Sequence, residues 1–343
     1  MPLRARRRSV VPAALLALVL GLSGCSQTAD QPDQEAAVEQ GHARPAESPQ
    51  AAGPAEGATV DTPATVRTLL ASGEQVTAQV DDPSRLEIGT VEGTRWSSER
   101  TVELPAAAGD ASVALDGTVL VPHSDGVVVV PPSGPERDLT GLGPVTTAAM
   151  TPDGRILTGT ADGEVVVRDA DGAELNRLSG LESIDRIAVA RDGSVTALSR
   201  PDTVLASIDL DEEQAGPLLR AGKGAGMLST FSSGSVVASD TVGDTLLVYS
   251  TSPVRLHQMF PVPSAPWAVA EDPARGLVWV TSTGTNTVRA YDLGDGLGES
   301  RADVATVRQP DALAVTDSGA VVVGSGDGAG LHVFEPDLTT PTR

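Results

Sequence analysis

The chain has 343 residues, a net charge of −22 at pH 7, one cysteine and 2% aromatic residues. Such an acidic chain is disfavoured as a nucleic-acid binder, because contacts to phosphates require clustered arginine and lysine. A single cysteine excludes an internal disulfide framework and any zinc or iron–sulfur site built from several cysteines. The hydrophobic content of 40% is enough for a folded core, and the length allows one large all-β domain or two smaller ones.

The first 25 residues have the pattern of a bacterial lipoprotein signal. Arginines at positions 4, 6, 7 and 8 precede an uncharged apolar stretch from Val10 to Leu22, which at ~13 residues is too short for a comfortable membrane-spanning helix. The stretch ends in Leu22-Ser23-Gly24-Cys25, which resembles the lipobox. That resemblance implies a signal peptide over 1–24 and a lipid anchor on Cys25 at the extracytoplasmic face of the cell membrane. The alternative is an ordinary secretory signal with an incidental cysteine.

Residues 25–57 are predicted to form a disordered tether. They are rich in Ala, Glu, Gln, Gly and Pro, and Val38 is the only aliphatic residue larger than alanine before Val60. Such a segment buries too little apolar surface to offset the entropy of ordering it. Removal of residues 1–24 leaves 20 basic and 46 acidic residues, a net charge of −26. Anionic lipid headgroups should repel this surface, so the anchor must hold the domain. The charge is interpreted as a solubility device, with an acidic binding surface as the alternative.

The remainder of the chain is a repeat. Turns ending in glycine recur 37 to 44 residues apart, with a mean of 41, at Ser72-Gly73, Asp116-Gly117, Asp153-Gly154, Asp192-Gly193, Ser233-Gly234, Arg275-Gly276 and Ser318-Gly319. Each turn has a short β-prone run on either side, such as Ala312–Val315 before and Leu277–Val280 after. A third run, such as Glu164–Arg168, follows a polar turn, and a fourth, such as Arg100–Leu104, precedes the next unit. Glycine supplies the positive φ of tight hairpins, and valine-rich runs suit buried strands.

Four strands in about 41 residues is the period of a β-propeller blade. Seven repeats therefore predict an all-β, seven-bladed β-propeller over residues 58–336, followed by a C-terminal tail over 337–343. The last repeat lacks a fourth strand. The segment from Ala58 to Thr62 is a spare strand, which we expect to complete the seventh blade, close the ring and remove an exposed edge. A pair of β-sandwiches is the alternative.

Several repeats resemble those of YncE-like seven-bladed propellers. The resemblance covers roughly residues 58–336 and is carried by Pro263–Asp292, Thr151–Arg155 and Gln309–Val315. The lipobox and the arginine-rich composition, in which Lys223 is the only lysine, are together similar to those of actinobacterial surface lipoproteins. These motifs imply a blade architecture and specify no chemistry.

The sequence shows no recognisable catalytic, metal or cofactor constellation. Of the four histidines, His42 lies in the tether, and His257 and His332 lie on predicted strands. Only His123 is on a loop that is expected to reach the central funnel, and it has no second or third ligand at metal-site spacing. No nucleophile elbow or Cys–His pair is present. An enzyme is therefore not expected.

Binding by one face of the propeller is the favoured function. The loops that join second to third strands and one blade to the next are expected to line this face, which we call the funnel face. Its candidate binding residues are His123, Arg200, Asp202, Asp240, Trp267, Asn286, Arg308 and Asp327. Trp267 is either an exposed interface anchor or a plug of the channel.

The predicted function is a membrane-anchored extracytoplasmic module that binds or scaffolds a protein or glycan of the cell envelope. Partners are thus the membrane, through Cys25, and an envelope component, with no nucleic acid. The alternative is a propeller hydrolase or lyase whose acid–base site is built from loop carboxylates and His123. Fold alone does not decide between these functions.

Overall fold

The computed structural model describes residues 43–50, 55, 57–60, 64–294, 296–336 and 338. All of them belong to the second of the chain's two units, Val38–Arg343. The predicted signal peptide, the anchor at Cys25, and the C-terminal tail apart from residue 338 lie outside the described residues. Within the described ranges, no helix is long and apolar enough to cross a membrane.

Among the described residues, twenty-nine strands form seven antiparallel sheets, which are the blades of a β-propeller. Blade 1 consists of β2 (Val66–Ser72), β3 (Gln75–Val80), β4 (Arg85–Glu92) and β5 (Arg95–Glu103). Blade 2 consists of β6 (Ser112–Val113), β7 (Val119–His123), β8 (Gly126–Val130) and β9 (Arg137–Thr140). Blade 3 consists of β10 (Thr147–Met150), β11 (Ile156–Gly159), β12 (Glu164–Arg168) and β13 (Glu174–Ser179). Blade 4 consists of β14 (Arg186–Val189), β15 (Val195–Ser199), β16 (Val204–Asp209), β17 (Gln214–Ala215) and β18 (Leu219–Arg220).

The remaining blades complete the ring. Blade 5 consists of β19 (Ala225–Thr230), β20 (Ser235–Asp240), β21 (Thr245–Thr251) and β22 (Val254–Pro261). Blade 6 consists of β23 (Pro266–Asp272), β24 (Leu277–Ser282), β25 (Thr287–Asp292) and β26 (Glu299–Ala305). Blade 7 is β27 (Pro310–Val315), β28 (Val321–Ser325), β29 (Leu331–Phe334) and β1 (Ala58–Val60). The structure therefore confirms the predicted all-β, seven-bladed propeller.

The N-terminal strand closes the ring as the sequence predicts. In β1, Ala58 pairs with Val333 and Val60 pairs with Leu331, antiparallel to β29. The predicted strand extends to Thr62, and residues 61 and 62 lie outside the described residues. Because β1 is the outer strand of a blade whose other strands come from the C-terminal end of the chain, the two ends of the domain are joined in one sheet.

The repeated glycines adopt the conformation that the hairpins require. At each turn from a first to a second strand the glycine has a positive φ, from 64° at Gly73 to 89° at Gly319. The second strands that follow are buried on both faces, as in β24 and β28. Seven apolar clusters fill the interfaces, one between each pair of neighbouring blades. Valine, leucine and alanine dominate them, so the ring is held by aliphatic packing between its blades.

Blade 4 departs from the four-strand pattern. Its outer strand is split into β17 and β18, which both pair with β16. Gly216, Pro217 and Leu218 separate the two pieces, and proline has no N–H for the ladder. The amide of Gly216 still donates to the carbonyl oxygen of Ser207 at 2.8 Å.

Four inner strands carry a β-bulge near their first residue. The register shifts fall between Val66 and Thr68 in β2, between Ala225 and Leu228 in β19, between Pro266 and Val269 in β23, and between Pro310 and Ala312 in β27. A bulge leaves one or two residues out of the ladder and re-aims their side chains. These bulges determine what lines the funnel.

Candidate functional site

The bulged residues line the mouth of the funnel. They include Arg67 in blade 1, Met227 in blade 5, Trp267 in blade 6 and Asp311 in blade 7. Together with residues from the loops they surround a cavity of about 260 Å³, lined by Pro45, Thr65, Val66, Arg67, Asp81, Asp110, Arg186, Met227, Trp267, Asp311 and Gly326. The cavity thus combines two arginines and three carboxylates with an apolar wall.

Asp110 is the shared partner of the cavity's two arginines. The guanidinium of Arg186 donates a hydrogen bond to Asp110 Oδ2, and Arg67 Nη1 lies 3.5 Å from Asp110 Oδ1. Arg67 Nη2 also pairs with Asp81 Oδ2 at 2.9 Å. Burial alone raises the pKa of the Asp110 carboxyl, but the charges of Arg186, Arg200 and Arg67 outweigh it and hold that pKa below its ordinary value.

Arg200 contacts Met227 and Trp267, which line the cavity. It has no carboxylate within 4 Å in the part of the chain that the structure describes, although the carboxylates of Asp110 and Asp185 act on it at longer range. Its Nε donates to the carbonyl oxygen of Gly226 at 2.8 Å, and its guanidinium carbon lies 5.5 Å from the centroid of the Trp267 ring. Burial, and then the like charge of Arg186, lower its pKa to about 10. Arg200 is therefore a desolvated cation held by an aromatic face and a backbone carbonyl.

Met227 brings Arg186 and Arg200 together. Arg186 Nη2 lies 3.4 Å and Arg200 Nη2 3.5 Å from the Met227 sulfur. The buried Nε of Arg186 has no hydrogen-bond acceptor among the described residues. Two neighbouring guanidinium groups therefore have donor capacity that the described residues do not use.

Asp311 is the carboxylate of blade 7 that lines the cavity. Its Oδ1 accepts from Gln309 Nε2 at 2.8 Å. Burial raises its pKa to about 6, and the charge of Asp327 adds to the rise while the Gln309 hydrogen bond opposes it. Asp311 is thus the carboxyl group of the cavity that is nearest to titrating at neutral pH.

Residues 43–50 lie across the funnel mouth, and we call them the strap. The amide of Ala46 donates to Thr283 Oγ1 at 3.1 Å, and the amide of Ser48 donates to Gln309 Oε1 at 2.9 Å. Gln309 Nε2 donates to the carbonyl oxygen of Ala46 at 3.0 Å. Gln309 therefore uses both ends of its side-chain amide to hold the backbone of the strap.

Side chains from the loops of blades 6 and 7 hold the rest of the strap. Asn286 Nδ2 donates to the carbonyl oxygen of Pro49 at 2.9 Å, and Arg308 Nη2 donates to that of Ser48 at 3.3 Å. Ser48 Oγ in turn donates to the carbonyl oxygen of Thr283 at 2.6 Å. Most of these contacts address the strap's backbone, so they recognise an extended chain more than a particular sequence.

Apolar contacts seat the first part of the strap. Ala43 is buried in the cluster that contains Trp267, and Pro45 lines the cavity. The expectation of a disordered tether over 25–57 therefore differs from what the structure shows for 43–50. The physical reason is that loop side chains supply the hydrogen bonds, so the segment needs little apolar surface of its own.

The structure brings several of the predicted binding residues together. Trp267 is 8% exposed and sits between the strap and Arg200, so it is covered where it lies. Asn286 and Arg308 hold the strap, and Asp327 forms an ion pair with Arg308. Asp202 is half-buried in the loop that also carries Arg200.

His123 and Asp240 serve their own blades instead. The buried His123 places Nε2 2.9 Å from Asp138 Oδ1 on the outer strand of blade 2. Asp240 accepts from the backbone amides of Lys223, Gly224 and Gly243 at 2.8 to 2.9 Å and fixes a loop. His123, Asp240 and Asp327 thus lie in blades 2, 5 and 7, each bound to a different partner. The described residues include no cluster of three His, Cys, Asp or Glu that could hold a metal ion.

Sequence reasoning missed the funnel residues that lie on the first residues of the inner strands or just before them. These are Arg67, Asp110, Arg186, Met227 and Asp311, together with the strap-binding Gln309. The available signal was a polar or large residue next to the start of an otherwise aliphatic inner strand, as in Val66-Arg67 and Pro310-Asp311.

A cavity of about 640 Å³ lies elsewhere, between blades 5 and 6. It is lined by the turn from β19 to β20 and so opens on the face opposite to the funnel face. Ser232 donates through both its amide and its hydroxyl to the Glu271 carboxylate there. It offers no group of cations, and the funnel is therefore the better candidate.

No protein-family model matches the chain, and no curated protein matches its sequence. Solved structures match its fold. Hydrazine synthase from Kuenenia stuttgartiensis aligns with a TM-score of 0.64 at 14% identity, over 83% of this chain and 100% of that one. A catalytically inactive virginiamycin B lyase from Staphylococcus aureus with quinupristin aligns at 0.65 and 12%, over 80% and 97%. A streptogramin B lyase aligns at 0.64 and 12%, over 80% and 95%. At these identities the likeness shows the propeller fold alone.

Proposed function

We propose that this chain is a YncE-like propeller lipoprotein, anchored through Cys25 on the extracytoplasmic face of the cell membrane. Its role is to bind or scaffold a protein or glycan of the cell envelope. The signal-like arginines and apolar stretch before Cys25 support the anchor. Two or more acyl chains give durable anchoring where one is marginal.

The observation that carries the binding role is the strap. Gln309, Asn286, Thr283 and Arg308 hold an extended segment of chain mainly through its backbone. A surface that binds one extended peptide in this way is suited to binding another. This favours a protein segment over a glycan. We call the strap-binding surface formed by Thr283, Asn286, Arg308 and Gln309 the groove, and the strap occupies it until a partner segment replaces it.

The test offers the groove a peptide in trans. In the chain from which residues 43–50 are deleted, the groove should be empty. A labelled peptide with the sequence of residues 43–50 should then bind saturably, as measured by fluorescence anisotropy. Gln309→Ala should weaken the binding at least tenfold, because it removes both hydrogen bonds of one amide.

The matched control is a Gln214→Ala variant, which changes an exposed glutamine on β17 away from the groove. The free fluorophore without a peptide controls for nonspecific binding. Equal binding to the Gln309→Ala and Gln214→Ala variants, or none to either, would contradict the peptide groove.

Anchoring is tested separately. The chain expressed with its own signal should incorporate labelled palmitate and sediment with membranes, and Cys25→Ala should abolish both. Unchanged membrane association of Cys25→Ala would refute the lipid anchor and favour the ordinary secretory signal.

A hydrolase or lyase is the second candidate, and Asp311 is the observation that favours it. A cavity-lining carboxyl with a pKa of about 6 is suited to general acid–base work near neutral pH. Candidate esters, lactones and glycosides can be screened by mass spectrometry with the wild-type chain and with Asp311→Asn. Turnover that Asp311→Asn abolishes supports an enzyme, and turnover that it leaves unchanged rules out this site.

A further inference from the structure

We propose that the cavity under the strap is a binding site for a small monocarboxylate ligand, whose carboxylate sits between the guanidinium groups of Arg186 and Arg200. The site lies below the peptide groove and uses different side chains. The carboxylate site and the proposed peptide binding can therefore be tested independently of each other.

The first argument is the environment of Arg200. An arginine taken out of water is costly unless a negative group compensates it. Arg200 has the ring of Trp267 and the carbonyl oxygen of Gly226, but none of the described carboxylates lies within 4 Å of its guanidinium. Asp110 and Asp185 act on Arg200 only through longer-range charge, so a bound anion would supply the direct partner that its guanidinium lacks among the described residues.

The second argument is convergence. The terminal nitrogens of Arg186 and Arg200 approach the same Met227 sulfur from two blades, and the buried Nε of Arg186 has no acceptor among the described residues. Guanidinium groups match the two oxygens of a carboxylate in geometry and charge. A carboxylate placed here accepts from both arginines.

The third argument concerns the charge of the ligand. Three arginines border the site, but Asp110 and Asp81 already pair with Arg186 and Arg67. Arg200 is the arginine whose guanidinium has no carboxylate in direct contact among the described residues, although the charges of Asp110 and Asp185 act on it at longer range. One guanidinium without a direct partner matches a single carboxylate. Asp311 lines the same cavity from blade 7, and its carboxylate would repel a dianion such as phosphate at neutral pH.

The fourth argument is size. The volume of the cavity is about 260 Å³, which is below the range of ~300–1,000 Å³ for drug-sized ligands. Trp267, Met227 and Pro45 give it apolar surface. The ligand is therefore a short-chain carboxylic acid or the terminal carboxylate of a small molecule, with its apolar part against Trp267.

The experiment uses the full chain and a matched pair of probes, propionate and its neutral analogue propionamide. Binding is followed by ligand-observed NMR and by the shift of the thermal midpoint. Propionate should bind saturably in the millimolar range, and propionamide should not. Arg200→Gln and Arg186→Gln should each weaken propionate binding at least tenfold, whereas Arg301→Gln, on an outer strand, should leave it unchanged.

Two further variants keep the test decisive. Arg200→Lys retains the charge but loses the paired donors, so it should fold and still bind several-fold more weakly, even if Arg200→Gln proves unstable. Gln309→Ala loosens the strap, so propionate should bind it at least as well as it binds the wild type. The same substitution weakens peptide binding in the groove at least tenfold, which keeps the two proposals distinguishable.

Three results would overturn the proposal. One is propionate binding that Arg200→Gln and Arg200→Lys leave at the wild-type level. Another is tighter binding of phosphate or sulfate than of propionate. The third is no binding of propionate to either the wild-type chain or Gln309→Ala.

Discussion

The guanidinium of Arg200, from blade 4, lies over the ring of Trp267, from blade 6, at 5.5 Å from its centroid. This contact crosses blade 5, whose Gly226 carbonyl and Met227 sulfur touch the same guanidinium. Three blades therefore contribute to the position of one side chain at the funnel mouth. The sequence separation of the two residues gives no hint of this relationship.

Because no described carboxylate lies in direct contact with the Arg200 guanidinium, removal of this side chain should cost little stability. The cation–π contact is worth ~0.5–2 kcal/mol, and desolvation of the charge opposes it. We expect Arg200→Gln to change the free energy of unfolding by less than about 1 kcal/mol, as measured by urea denaturation. A loss several times larger would show that Arg200 is mainly structural.

Asp110→Asn, in contrast to Arg200→Gln, should lower the free energy of unfolding clearly. Asp110 is the shared partner of Arg67 and Arg186. The neutral amide leaves the largely buried Arg186 without its carboxylate, whereas Arg67 keeps its ion pair with Asp81. We expect a loss of roughly 2 kcal/mol in the free energy of unfolding, checked in the same urea titration. Asp171→Asn is the control, since Asp171 forms an exposed pair with Arg137, and it should be nearly neutral.

The hydrogen bonds of the strap predict its exchange behaviour. In the wild-type chain the amides of Ala46 and Ser48 donate to side chains, so both should be protected from hydrogen exchange. Gln309→Ala removes the acceptor of Ser48 and the donor to Ala46, and exchange of the Ser48 amide should accelerate about tenfold. Mass spectrometry of the peptide spanning the strap measures it, with Gln214→Ala as the control. Unchanged exchange would mean that Gln309 does not hold the strap.

Asp311 predicts a pH dependence of stability with a definite sign. Burial raises its pKa from 3.8 to about 6, so between these values the folded state binds more protons than the unfolded state. The unfolding free energy therefore falls as pH rises from about 4 to about 6, and the loss persists above that. Asp311→Asn removes this loss and should be more stable than wild type at pH 7.5 by about 2 kcal/mol.

The comparison is made at two pH values. At pH 4 the wild-type carboxyl is protonated in the fold, so the advantage of Asp311→Asn should nearly vanish. Because all other titrating groups are common to both chains, the difference between their urea curves isolates Asp311. An equal advantage at both pH values would show that the carboxylate is not destabilised by burial.

The closure of the ring by β1 predicts that a charge at Val60 destabilises the fold, and the neighbouring Thr59 offers the control. In β1, Val60 packs against the cluster between blades 7 and 1, whereas Thr59 is exposed. Val60→Asp should lower the free energy of unfolding by about 2 kcal/mol, and Thr59→Asp should change it by less than about 0.5 kcal/mol. Equal midpoints in urea would mean that β1 contributes little to closing the ring.

The fold could be predicted because its signals are local and repeated. A glycine with positive φ marks each inner turn, and the runs beside it are long enough to identify strands. The spare strand at Ala58 was visible because the last repeat lacked a partner. The split outer strand of blade 4 depends on where one proline falls in the ladder, and the period cannot show that.

The funnel could be predicted only in part. Arg200, Asn286 and Arg308 stand in loops, which the repeat locates. Arg67 and Asp311 reach the cavity through bulges, whose register is set by pairing with a distant strand rather than by composition. The strap looked disordered because its own side chains bury little, and its ordering comes from Gln309 and Asn286, more than 230 residues away.

The order of elements along the chain has a mechanical consequence. The strap precedes β1, so a pull on the N-terminal side of the chain loads the bonds to Gln309 and Asn286 before it loads the pairing of β1 with β29. The strap should yield first, because its contacts are few side-chain bonds while β1 is tied into a blade. In single-molecule stretching we expect a small low-force extension before the ring opens. A single rupture event would contradict this sequence. Tension could thus uncover the funnel while the propeller stays closed.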